Sequence, residues 1–119
     1  MSEIKRVATP YSYSSAVVAG DYVFLGLHRG FGEKFSDQFA SAFEFLEETL
    51  AKLDIPLENI VKVNVWLKDV NDLPEMERLF KDYFEEGEFP ARMTSTTAFI
   101  DADCLLMIDG IAYAKKQHG

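Results

Sequence analysis

Only two helical stripes stand among five strand-like runs, and this ratio constrains the fold more than any other feature. Phe39, Ala42, Phe43, Leu46, Leu50 and Leu53 return every three or four positions. That spacing predicts a one-sided helix over 37–53, with Ser36 as its N-cap. Met76, Leu79, Phe80, Tyr83 and Phe84 predict a second helix over 73–85, with Pro74 in its first turn and Gly87 at its end. Between and around these lie runs rich in β-branched and aromatic residues. The runs 16–19 and 22–27 flank Gly20-Asp21, a pair suited to a primed hairpin turn. The run 60–68 alternates, with Val61, Val63, Val65 and Leu67 on one face. The runs 93–99 and 105–113 flank Asp101-Ala102-Asp103 and are expected to form a closing hairpin. Residues 1–6 suit a short edge strand or a frayed end, 28–34 a glycine-punctuated loop, and 115–119 a frayed tail.

The order is therefore β-β-α-β-α-β-β. It predicts an α+β layer with two helices on one face of a mixed sheet. One layer of helices leaves the other face, which carries Trp66, without a cover. Oligomerisation is the economical way to bury it.

A chain of 119 residues suits one domain, 1–119. Twelve Lys and Arg stand against twenty Asp and Glu, a formal net charge of −8. That balance disfavours nucleic acid as a partner, because phosphate backbones are held by clustered cations. It leaves room for a small anion held by one arginine. Cys104 is the only cysteine, so no intramolecular disulfide is possible, and a packed rather than reactive thiol is expected. The N-terminal residues lack the apolar stretch of a signal peptide, and no segment approaches the roughly 20 apolar residues of a membrane helix. A cytoplasmic protein without membrane association is expected.

Two residues carry candidate chemistry. Arg92 follows Pro90 into a strand, so its backbone is aimed. Asp109 sits within an apolar run, where an ionised carboxylate is costly without a partner. Set on paired strands, a guanidinium and a carboxylate are the parts of a small acid-binding site, or of a plain ion pair. Tyr13 can donate a hydrogen bond from its hydroxyl, Thr94 can offer backbone and hydroxyl donors, and His28 ends a strand where it can line a cleft. His28 and His118 with scattered acids do not make a metal-ligand spacing. No phosphate loop follows a strand. Neither metal nor cofactor is expected.

These stretches taken together resemble the RidA (YjgF) family of reactive-intermediate deaminases. The match lies in Tyr13-Ser14-Ser15-Ala16-Val17 with Gly20 and Val23-Phe24, in the strand 60–69, in Tyr83-Phe84, in Phe89-Pro90-Ala91-Arg92, and in Ile108-Asp109-Gly110-Ile111-Ala112. The resemblance implies a chorismate-mutase-like unit, three of which close into a homotrimeric barrel with ligand clefts between subunits. It implies hydrolysis of small enamine or imine acids, of the 2-aminoacrylate type, to 2-keto acids and ammonia. Arg92 then grips the substrate carboxylate, Tyr13 lines the cleft, and Asp109 takes the place of a glutamate that positions or activates water. The chain departs from the family pattern at four places. Leu27 replaces a ligand-contacting glycine within Gly26-Leu27-His28, Thr94 replaces a common cysteine, Glu77 replaces an asparagine, and Asp109 is one methylene short. These departures give weight to an alternative, a binding or regulatory protein that keeps the cleft without turnover. The family's older label of endoribonuclease fits poorly with the net negative charge.

Overall fold

The computed structural model describes residues 3–115. Among these residues, six strands form one sheet: β1 (Lys5–Ala8), β2 (Ser14–Ala19), β3 (Tyr22–Arg29), β4 (Ile60–Leu67), β5 (Ala91–Thr96) and β6 (Leu106–Tyr113). Two α-helices, α1 (Phe35–Ala51) and α2 (Leu73–Phe80), cover one face. The strand order is β1-β2-β3-β6-β4-β5. All pairs are antiparallel except β4 with β5. The architecture is the α+β layer that the helix-to-strand ratio predicts. The first six residues contribute to a true edge strand, β1, through Lys5 and Arg6. Expectations for residues 116–119, His118 among them, lie outside the described residues.

The hairpin from β2 to β3 turns on Gly20, at φ 62°, with Ala19 opposite Tyr22. A two-residue loop of this kind needs a positive φ, which glycine adopts at no steric cost. The predicted closing hairpin does not form. β5 pairs parallel to β4, with Val63 opposite Arg92, and β6 inserts between β3 and β4. The chain thus makes a β4-α2-β5 crossover before its last strand enters the centre. Gly110 permits that central placement. A Cβ there would lie 2.2 Å from the Lys62 carbonyl oxygen, so only glycine lets β6 approach β4 so closely.

The helices also differ in extent. α1 begins two residues before the predicted start, with Ser36 inside it, and the N-cap position falls to Lys34, which makes no side-chain cap. It ends at Ala51, where Asp54 takes a positive φ and the Ile55 amide donates to the Leu50 carbonyl. α2 stops at Phe80 rather than 85, and the chain continues in turns that still pack Tyr83 and Phe84 inward. Val61 is exposed because the pairing of β4 with β6 shifts register between Ile60 and Lys62. Ile60 is buried in its place.

The core lies between helices and sheet. Phe43 sits at its centre, stacked on Tyr83 at 4.1 Å between ring centroids and edge-on to Phe80 at 5.6 Å. Such offset and edge contacts add to the burial of these large rings. Gln38 ties α1 to the far end of the chain. Its amide nitrogen donates to the carbonyls of Gly32 and Asp103, and its oxygen accepts from the Leu105 amide. The opposite sheet face exposes Tyr22, Phe24, Leu27 and Met93. No helix among the described residues is long and apolar enough to cross a membrane.

Candidate functional site

Successive side chains of a strand point to opposite faces of the sheet. Asp109 lies opposite Asn64 across the β4–β6 ladder, on the face away from the helices. Its carboxylate accepts from Asn64 Nδ2 at 2.7 Å and from Trp66 Nε1 at 2.6 Å. Each oxygen holds one donor and keeps lone pairs for another. The carboxylate is therefore fixed in direction yet still able to receive a water. On its other side, β3 carries a bulge. Leu25 pairs with Gly110 and His28 with Ile108, so Gly26 and Leu27 together oppose Asp109. The extra residue turns Leu27 outward, where it is 50% exposed. Bulges of this kind re-aim side chains next to sites.

Arg92 belongs to the other face. It is opposite Val63, whose side chain is buried under the helices, and its guanidinium lies 5.1 Å from the Phe80 ring centroid. Its Nη2 donates to the Glu77 carboxylate on α2, and its Nε donates to Thr94 Oγ1 at 3.1 Å. A guanidinium has five N–H groups. Three of them have no partner among the described residues. Glu77, Phe80, Lys81, Phe89, Pro90 and Arg92 line an open recess of about 260 Å³. The bonds to Glu77 and Thr94 hold the guanidinium in the lining of this recess.

Arg92, Thr94 and Glu77 thus come together, while Asp109 joins Asn64 and Trp66. The expected pairing of Arg92 with Asp109 on neighbouring strands is corrected: β4 stands between them and they occupy opposite faces of the sheet. Within one protomer they cannot serve one substrate. His28 is also corrected. It is a buried strand residue, not part of a loop, with Nδ1 2.7 Å from the Gly26 carbonyl and Nε2 2.9 Å from Thr49 Oγ1. The carbonyl can only accept, so Nδ1 carries the proton and Nε2 accepts from the threonine hydroxyl. Burial lowers the His28 pKa, partly opposed by the Gly26 hydrogen bond, and keeps the ring neutral. Tyr13 is 57% exposed and stacked on Tyr11, 6.1 Å away with planes 6° apart. Cys104 is buried, and burial raises its pKa.

Sequence reasoning missed Asn64 and Trp66 as partners of Asp109. Their signal was present: both share the polar-tipped face of an otherwise apolar strand.

The sequence pattern described as Endoribonuclease L-PSP, the YjgF/RidA family, matches residues 3–114. The chain belongs to this family. A RutC family protein of Pyrococcus horikoshii is 30% identical over 109 residues, covering 85% of this chain and 86% of the relative. A 2-iminobutanoate/2-iminopropanoate deaminase of Dermatophagoides farinae is 26% identical over 125 residues, covering 93% and 97%. Among solved structures, a YjgF family member from Streptococcus pyogenes is 30% identical, superposes with a TM-score of 0.86, and covers 98% of this chain and 100% of its own. The α+β unit of this chain is the YjgF/RidA fold.

Proposed function

We propose that the protein hydrolyses small enamine or imine acids to 2-keto acids and ammonia, in clefts between the subunits of a homotrimer. The observation that carries this reading is the guanidinium of Arg92, which is held in the lining of a recess with three N–H groups to spare. Two of those donors suit the two oxygens of a carboxylate. Relatives named as 2-iminobutanoate/2-iminopropanoate deaminases support the choice of substrate class.

The opposite placement of Arg92 and Asp109 makes assembly a requirement of the chemistry. The exposed edge strand β5 of one protomer would set its arginine against the outer sheet face, and the Asp109, of the next. The apolar residues of that face, Phe24, Leu27 and Met93, favour such a contact. In the reaction, a water oxygen adds to C2 of the imine and gives a carbinolamine. Its collapse forms the C2 carbonyl and expels the nitrogen as ammonia. Asp109 passes a proton from the attacking water to the imine nitrogen, and then passes the proton of the new C2 hydroxyl to the same nitrogen as it departs, while Asn64 and Trp66 hold its orientation. No cofactor enters this balance.

The test is to generate 2-iminopropanoate in situ and follow release of 2-oxopropanoate. Acceleration over buffer, abolished in Arg92→Ala, is the expected result. No acceleration by a folded protein overturns the reading. Binding of 2-oxopropanoate without turnover would instead favour a small-molecule-binding protein, the reading that the shorter Asp109 supports.

A further inference from the structure

Glu77 gives the recess a charge pattern that a simple anion site would lack. Its carboxylate is bonded through Oε2 to Arg92 Nη2, its side chain is half exposed, and it faces the same opening as Lys81 and the rings of Phe80 and Phe89. A carboxylate ligand approaching Arg92 therefore meets a fixed negative charge beside its target. Lys81 offsets part of that repulsion, and a ligand that carries a positive group next to its own carboxylate relieves the rest. A 2-iminium acid does: its carboxylate and its protonated C=N nitrogen sit on adjacent carbons. Laid head-to-tail on the Glu77–Arg92 pair, the carboxylate meets Arg92 and Lys81, the nitrogen meets the free Oε1 of Glu77, and the carbon chain meets the phenyl rings. The 2-keto acid product has lost that nitrogen and is a plain anion.

We infer that Glu77 selects zwitterionic ligands over anionic ones, so that the recess binds the protonated iminium form of the substrate and rejects the keto-acid product. This rests on the function proposed above and adds to it a charge state and a route for product release. Hydrolysis itself removes the cation that Glu77 holds, so the repulsion between Glu77 and the product carboxylate is no longer offset and favours release.

The experiment compares a stable zwitterion, L-alanine, with 2-oxopropanoate by chemical-shift titration of wild type, Glu77→Gln and Arg92→Ala. Gln is nearly the size of Glu, and the site is half exposed, so the variant folds. In Glu77→Gln, alanine affinity falls about fivefold and keto-acid affinity rises by a similar factor, the scale of a solvent-exposed charge pair. Turnover gives a second readout: product inhibition tightens while kcat/KM for the iminium substrate falls. If Glu77→Gln shifts both ligands in the same direction or neither, while Arg92→Ala still abolishes their binding, the charge-selection inference fails and the arginine site stands. If Arg92→Ala leaves both affinities unchanged, both readings fail.

Discussion

His28 shows how a residue can look functional in the sequence and be structural in the fold. The chain places it at the end of a strand beside a glycine-rich stretch, where a histidine has room to face a ligand. The bulge at Gly26 and Leu27 sends it inward instead, against Thr49 and the tilted ring of Phe45, 4.4 Å away between centroids. A bulge reverses the alternation that a reader of sequence must assume, and nothing local announces it. Asp109 was legible because a lone acid in an apolar run demands partners, yet which partners could not be read. Strand pairing decided that. The His28 pKa is lowered below its ordinary 6.5, mainly by burial. The sign follows: the unfolded chain takes up a proton first, so stability is full above about pH 6.5 and is lost as pH falls toward the folded value. Urea midpoints measured between pH 7.5 and 5 should fall in wild type. The fall should be shallower in His28→Gln, which carries no titrating ring.

At the level of elements, helix starts followed from periodicity to within two residues, because apolar spacing of 3.6 has few alternative meanings, whereas α2 ends at Phe80 rather than 85. Strand partners did not follow. Consecutive strands usually neighbour one another, which made a hairpin of β5 and β6 the natural expectation. Two features overrode it. α2 carries the chain across the sheet so that β5 returns parallel to β4, and Gly110 lets the last strand wedge between β3 and β4. Gly110→Ala tests the second feature. A methyl group 2.2 Å from the Lys62 carbonyl oxygen cannot be relieved by a side-chain rotation, so the two central strands must part. We expect a loss of about 3 kcal/mol in denaturant unfolding. An unchanged midpoint would show that β6 does not approach β4 this closely.

On the scale of the whole molecule, the uncovered sheet face was anticipated from the shortage of helices, and Tyr22, Phe24, Leu27 and Met93 are the residues that make it apolar. Phe24→Asp places a charge on that face without touching the helix-packed core. Light scattering should show wild type at the mass of three chains and the variant at one, with unchanged far-ultraviolet circular dichroism. The proposed deaminase activity should disappear with the assembly, since Arg92 and Asp109 of one chain lie on opposite sides of its sheet. A variant that stays trimeric would place the contact elsewhere.

The central position of β6 has a consequence for synthesis. It is the last of the six strands to be made, yet it supplies hydrogen bonds to both β3 and β4. Until it emerges, a nascent chain holds two incomplete half-sheets, each with an open inner edge, and Gln38 waits for Asp103 and Leu105. Unpaired edges of this kind attract other unfinished chains. Premature termination before Leu106 should therefore yield insoluble product rather than a smaller folded one, and growing polypeptides would need a chaperone's shelter until β6 has emerged.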